Sequence, residues 1–79
     1  MKIKIINDQQ LLYKNHVKSV ILPGEYGSFQ LLKNHAPLIA ILKTGLIKII
    51  QLYDHKQVEL QILYGGILKI YNNYIIILL

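Results

Sequence analysis

The chain has no cysteine, no arginine and no tryptophan, and its 79 residues include only two prolines and four acidic side chains. Without cysteine neither a disulfide framework nor a thiolate metal site can form, so a fold this small must rely on its apolar core or on assembly. The four acids, Asp8, Glu25, Asp54 and Glu59, fall in or near separate turns or on a polar strand face. Nothing in their spacing pairs two carboxylates for general acid–base work or glycoside hydrolysis. His16, His35 and His55 stand 19 and 20 residues apart, without the close pairing that puts two imidazoles on one metal. Ser19 and Ser28 are the only serines, neither in a Gly-x-Ser-x-Gly elbow, so a small hydrolase has no local support. Gly24 and Gly27 are not followed by the Gly-Lys-Ser/Thr of a phosphate-binding loop and read as turn glycines. No catalytic, metal or cofactor residue is assigned.

Long apolar runs are missing too. Lys43, Lys48, Asp54, Lys56, Glu59 and Lys69 break the hydrophobic stretches well below the roughly 20 residues of a spanning helix. The opening MKIKIINDQQ has too short an apolar run for a signal-peptide core, so an unexported chain is expected.

What is present is an apolar excess: 53% hydrophobic against 16% charged residues, with 15 Ile and 14 Leu. That composition specifies one globular domain over 1–79. A chain of this size buries only roughly 60% of its unfolded surface, so stability is marginal and a partner that covers part of it would help. Nine Lys give a net charge of +5, which attracts anionic partners at low salt. Abundant Ile, Lys, Asn and Tyr without Arg or Trp also fit an AT-biased coding sequence.

Apolar residues recur with a period of two. Val58, Leu60, Ile62 and Tyr64 alternate with Gln57, Glu59 and Gln61, the pattern of a half-buried strand. The same period marks Lys2–Ile5 and Leu46–Ile49, the second apolar on both faces around Ile49 and Ile50. Turn signals punctuate the runs: Asn7-Asp8, Pro23-Gly24 with Gly27, Asn34–Pro37, Thr44-Gly45, Tyr53–Lys56, Gly65-Gly66 and Asn72-Asn73. Their spacing of about 8 to 12 residues is that of a sandwich. Gly65-Gly66 and Asn72-Asn73 suit tight hairpins, with Ile67–Tyr71 a short strand between them. No sustained 3.6-residue stripe is present, so the expected fold is all-β with little or no helix. The apolar run Tyr74–Leu79 should be paired inside the sandwich, because an open edge of that composition aggregates.

Taken in order, VKSVILPGEYGSF (Val17–Phe29), NHAP (Asn34–Pro37), LKTGLIKI (Leu42–Ile49) and YGGILKIYNN (Tyr64–Asn73) resemble the N-terminal β-sandwich of the epsilon subunit of F-type ATP synthases. The likeness runs nearly end to end. It implies a sandwich of about ten short, mostly antiparallel strands and a non-catalytic rotor part without a cofactor. Such a part binds the gamma subunit and the c-subunit ring, and through them couples to the alpha/beta catalytic hexamer. It lies peripherally on the cytoplasmic face of the bacterial inner membrane and serves proton-driven ATP synthesis.

Residue by residue, the resemblance places Glu25, Tyr26, Ser28, Phe29 and Gln30 in the loop that meets the ring. It places Asn7, His35, Ala36 and Pro37 toward gamma. Turn chemistry explains Glu25, His35 and Asn7 nearly as well. Gly24, Gly27, Gly45, Gly65 and Gly66 are read as structural turn positions. The sequence departs from the family at Ser28, where relatives often have an acid, at Gln30 for Gly, and at Lys33 and Thr44 for Pro. Loss of the acid at Ser28 weakens pairing with a basic ring loop, and Glu25 is the residue that would compensate. Many bacterial relatives carry a C-terminal helical hairpin that inhibits hydrolysis; this sequence ends at Leu79, where the hairpin would begin, so neither that inhibition nor a nucleotide site is expected. The competing reading is a basic β domain for single-stranded nucleic acid, with Tyr13, Tyr71 or Tyr74 stacking on bases and Lys14 or Lys69 on phosphates.

Overall fold

Period-two alternation becomes strand throughout. The computed structural model describes residues 1–79 and contains eight strands and no helix: β1 Lys2–Asn7, β2 Gln10–Gly24, β3 Gly27–Leu32, β4 Leu38–Leu42, β5 Gly45–Gln51, β6 Gln57–Ile62, β7 Gly66–Tyr71 and β8 Tyr74–Leu78. The all-β fold is as expected, with eight strands in place of about ten. The longest strand is β2, whose 15 residues run to Gly24, so that the turn signalled by Pro23-Gly24 and Gly27 is centred on Glu25-Tyr26. Straight, such a strand would measure about 50 Å at roughly 3.3 Å per residue. The molecule's longest dimension is 30 Å, so β2 must bend. The bend falls at a register shift between Val17 and Ser19 in its pairing with β5, the kind of irregularity that turns a strand from one layer to another.

Bending lets β2 serve two groups of strands. Its first half pairs with β1, from Asn7↔Gln10 to Lys2↔His16. Its second half pairs with β3 on one edge and β5 on the other, and Gly24 meets Leu42 of β4. The hydrogen-bonded order β1-β8-β7-β4-β2-β5-β6, with β1 also on β2, therefore closes β1, β8, β7, β4 and β2 into a ring. Every strand sends side chains into one core of 14 buried residues, among them Ile3, Ile5, Leu22, Leu31, Ile49, Ile75 and Ile77. The expected pairing of the last strand is present on both edges: β8 lies parallel to β1 and antiparallel to β7.

Turn chemistry follows backbone demand. Asp8 and Gln9 (φ 50° and 67°), and Asn72 and Asn73 (φ 50° and 61°), give two-residue hairpins of the mirror-image type whose twist matches the strands. Gly65-Gly66 is not a hairpin, because β6 and β7 do not pair; residues 63–65 instead lead from one strand group to the other. Gly65 has φ +104°. Gly24 and Gly66 have ordinary φ and lie within strands, so their requirement is space: a Cβ would fall 2.7 Å from the Gly27 carbonyl oxygen at Gly24 and 2.6 Å from that of Leu78 at Gly66.

A polar chain spans the outside of the bend. The Tyr13 hydroxyl and, at 3.1 Å, the Asn15 amide both donate to Gln51 Oε1, while Gln51 Nε2 donates to the Asp54 carboxylate at 3.0 and 2.9 Å. The Lys56 N–H donates to the same carboxylate at 3.0 Å. The Gln51 amide first, then the Lys56 N–H, hold the Asp54 carboxyl below the ordinary carboxylate range. A depressed folded value means that Asp54 contributes stability above its unfolded pKa, and that this is lost as pH falls through the folded one. Asp54→Asn should therefore lower the urea midpoint at neutral pH, with the gap from wild type closing on acidification below the ordinary aspartate value. In the core, Ile75→Ala should cost about 2–5 kcal/mol in urea unfolding, whereas Ile39→Ala, at 70% exposure, should change stability by less than about 0.5 kcal/mol.

Candidate functional site

Chemistry-bearing side chains are dispersed. Asp8, Glu25 and Asp54 occupy three separate turns and Glu59 lies on β6; no group of three or more His, Asp or Glu comes together. What the chain presents is surface, of two kinds.

The first is a tip. Glu25 and Tyr26 join β2 to β3 across the Gly24↔Gly27 pair, and Tyr26 is 98% exposed. The Glu25 N–H donates to the Ile41 carbonyl at 3.0 Å, tying the tip to β4. Ser28 and Gln30, on β3, are exposed, while Phe29 alternates inward, packs against the core and lies over Gly24. Of the five residues expected in this loop, Glu25, Tyr26 and Ser28 share the exposed tip, Gln30 follows one step down the strand, and Phe29 supports them from beneath. A groove of about 400 Å³ separates the tip from β4, bordered by Glu25, Tyr26, Phe29, Ile39 and Ile41.

The second lies at the other end. Residues 33–37 join β3 to β4 and are held to the β7–β8 turn: the Asn34 N–H donates to Asn73 Oδ1 at 2.6 Å and Asn73 Nδ2 donates to Asn34 Oδ1 at 3.1 Å. Asn34 takes φ 67°. His35 Nδ1 lies 2.6 Å from the Ala36 carbonyl; a carbonyl only accepts, so Nδ1 is the donor of this bond. His35, Ala36 and Pro37 are exposed. Asn7 is not with them. It ends β1, beside Tyr64, Gly65 and Leu79, one strand length or about 16–20 Å from the 33–37 loop.

Between these two positions runs the outer face of β4, β7, β8 and β1. Register aligns its outward residues in rows: Ile41, Ile67, Leu78 and Ile6; then Ile39, Lys69, Ile76, Lys4 and Lys14; then Tyr71, Tyr74, Lys2 and His16. Ile39, Ile41, Ile67 and Leu78 are 49–70% exposed. The sequence singled out Lys14, Lys69, Tyr71 and Tyr74 of this face, as a nucleic-acid surface, but not its aliphatic rows, although Leu38–Leu42 and Ile75–Leu79 are apolar at consecutive positions, which in a strand places large hydrophobes outside as well as inside.

A fold of this shape has known counterparts. A family model described as "ATP synthase, Delta/Epsilon chain, beta-sandwich domain" matches residues 1–79, and the chain belongs to that family. Among curated relatives, the ATP synthase epsilon chain of Leptospira interrogans is 40% identical over 78 residues, which is 99% of this chain and 59% of that protein. That of Chlorobium limicola is 40% identical over 77 residues, 98% of this chain and 85% of the relative. The chain thus spans less than two thirds of the Leptospira protein and most of the Chlorobium one. Among solved structures, a chain of the Euglena gracilis mitochondrial ATP synthase (OSCP/F1/c-ring) superposes with a TM-score of 0.85 at 15% identity, covering 96% of this chain and 48% of that one. A chain of the Tetrahymena thermophila mitochondrial ATP synthase central stalk and c-ring gives 0.79 at 11%, covering 98% and 60%. At such identities the likeness is one of fold. No helix of the structure is long and apolar enough to cross a membrane.

The Asn34–Asn73 clasp is the local lock on the 33–37 loop. Asn73→Gly keeps the positive φ but removes both side-chain bonds, so amide exchange at Asn34 and His35 should quicken while the global melting temperature falls by only a few degrees, about 1 kcal/mol for a domain this small.

Proposed function

We propose that this chain is the non-catalytic epsilon-type subunit in the central stalk of a proton-translocating F-type ATP synthase, binding the gamma subunit and the c-subunit ring and so linking ring rotation to the catalytic hexamer. It would sit peripherally on the cytoplasmic face of the membrane. The observation that carries this reading is the outer face of β4, β7, β8 and β1. Asn7 and the His35–Pro37 loop, both expected toward gamma, lie at its two ends, so one partner reaching both must lie along it. Exposed Ile39, Ile41, Ile67 and Leu78 make a contiguous apolar patch of the sort that marks a protein interface. Covering it would stabilise a fold too small to be robust alone. The Glu25–Tyr26 tip projects at one end, where a separate partner such as the ring's polar loops can reach it.

The nucleic-acid alternative finds Lys69, Tyr71 and Tyr74 around one shallow depression. Against it, Tyr13 is half-buried and its hydroxyl is engaged with Gln51.

Co-expression with the gamma subunit of the same genome should yield a one-to-one complex on size exclusion. Ile39→Asp with Ile41→Asp should weaken it at least about tenfold by placing carboxylates in an apolar contact, with the free chain's melting hardly altered. Glu25→Lys should leave that complex intact but reduce retention of the chain on ring-containing enzyme. Absence of any gamma complex, with salt-sensitive retention of RNA, would overturn the proposal.

A further inference from the structure

The face assigned above to gamma carries an unusual distribution of charge. Lys2 and Lys4 on β1, Lys14 on β2 and Lys69 on β7 all point outward from it, with His16 beside Lys2. Not one acidic residue occurs in β1, β4, β7, β8 or residues 10–16 of β2. Asp8, Glu25 and Asp54 lie in turns, and Glu59 is across the molecule, facing Lys48 on β5. The register sets Lys4 directly opposite Lys14, and Lys2 directly opposite His16. Ile76 alone separates Lys4 from Lys69 along the same row.

Like charges directly across a strand pair are destabilising, and no carboxylate of this chain is placed to relieve them. Solubility does not require the arrangement, since lysines scattered over the surface would serve as well. Ammonium groups of Lys69, Lys4 and Lys14 interleaved with Ile39 and Ile76, beside the aliphatic row Ile41–Ile67–Leu78 on one side and the aromatic pair Tyr71–Tyr74 with Lys2 and His16 on the other, instead have the layout of an interface whose polar partners are missing.

Resting on the central-stalk reading, we infer that the gamma-type partner meets this face with carboxylates, one seated between Lys4 and Lys14 and another at Lys69, flanked by apolar side chains that cover Ile39, Ile41, Ile67 and Leu78. The partner surface is thus acidic and amphipathic. Its charges fix the register along the β1–β8–β7 direction, because an apolar patch alone specifies contact but not position.

The test uses the full chain and its co-expressed gamma partner, with affinity measured at about 0.05 and about 0.5 M NaCl, where screening of exposed charges differs strongly. The triple variant Lys4→Gln, Lys14→Gln, Lys69→Gln is compared with wild type and with Lys48→Gln on the opposite face. Wild-type affinity should drop about tenfold or more across that salt range. The triple variant should bind at least about tenfold more weakly at low salt and respond little to added salt. Lys48→Gln should behave as wild type. The free triple variant should melt at the same temperature as wild type or higher, since it loses repulsion; a merely structural role would lower melting and binding together. Salt-independent gamma binding, unchanged in the triple variant, overturns the acidic-partner inference and leaves the central-stalk reading standing. No gamma binding at any salt removes both. Lysine-dependent retention of RNA without gamma binding would assign the face to nucleic acid and likewise overturn the inference.

Discussion

The bend in β2 is the constraint on which the rest depends. A 15-residue strand cannot lie straight in a body 30 Å long, so it turns near Val17–Ser19 and belongs to both strand groups. Because of that turn, β1 and β4 can pair with one strand at widely separated residues, Ile3 with Asn15 and Leu42 with Gly24. The turn also brings Val17, Val20 and Leu22 into one core with Ile75 and Ile77 of the last strand. Breaking β2 would leave β1-β8-β7-β4 with no link to β5-β6, and β3 with no partner strand at all.

Closure of the ring has a second consequence. The inner face of β4, β7, β8 and β1 is filled by Ile3, Ile5, Leu42, Leu68, Ile70, Ile75 and Ile77, yet the outer face is also rich in large aliphatic residues. A domain with only this core cannot easily afford outward isoleucines for their own sake, since they promote association. Exposed aliphatic residues occur elsewhere, as at Ile21, Leu32 and Leu63, but the register sets Ile39, Ile41, Ile67 and Leu78 side by side on this face, and that clustering argues that the folded state in its working context includes a cover. Strand pairing makes that face stiff, so a cover docks on a preformed surface at little ordering cost.

The sequence reading captured what local pattern encodes. Alternation gave strand rather than helix, as at Gln57–Ile62, and the Asn72-Asn73 pair announced its turn because only a few residues accept positive φ at both central positions. It missed what depends on distant partners. The turn signalled by Pro23-Gly24 and Gly27 is there, but it is centred on Glu25-Tyr26 and Pro23 stays in the strand, its carbonyl accepting from the Lys43 N–H at 2.9 Å, an interaction no local window contains. Gly65-Gly66 looked like a hairpin because glycine pairs commonly are; that β6 and β7 belong to different strand groups is a property of topology. The ordered motifs from Val17 to Asn73 carried the family likeness. They did not say that Asn7 and His35 lie at opposite ends of one face, or that Lys4 stands against Lys14, because both facts follow from register.

The placement of rigid and projecting parts fits a body that transmits force. Both ends of the assigned face are anchored through hydrogen bonds to neighbouring elements, the 33–37 loop by Asn73 and the Glu25 tip by the Ile41 carbonyl. Neither end is a free loop. A coupling element gains from this arrangement, because torque borne at one contact must reach another without being absorbed by local bending. β4 joins the two directly: it begins beside the 33–37 loop and ends beside the tip, so load at either end passes along a single hydrogen-bonded strand.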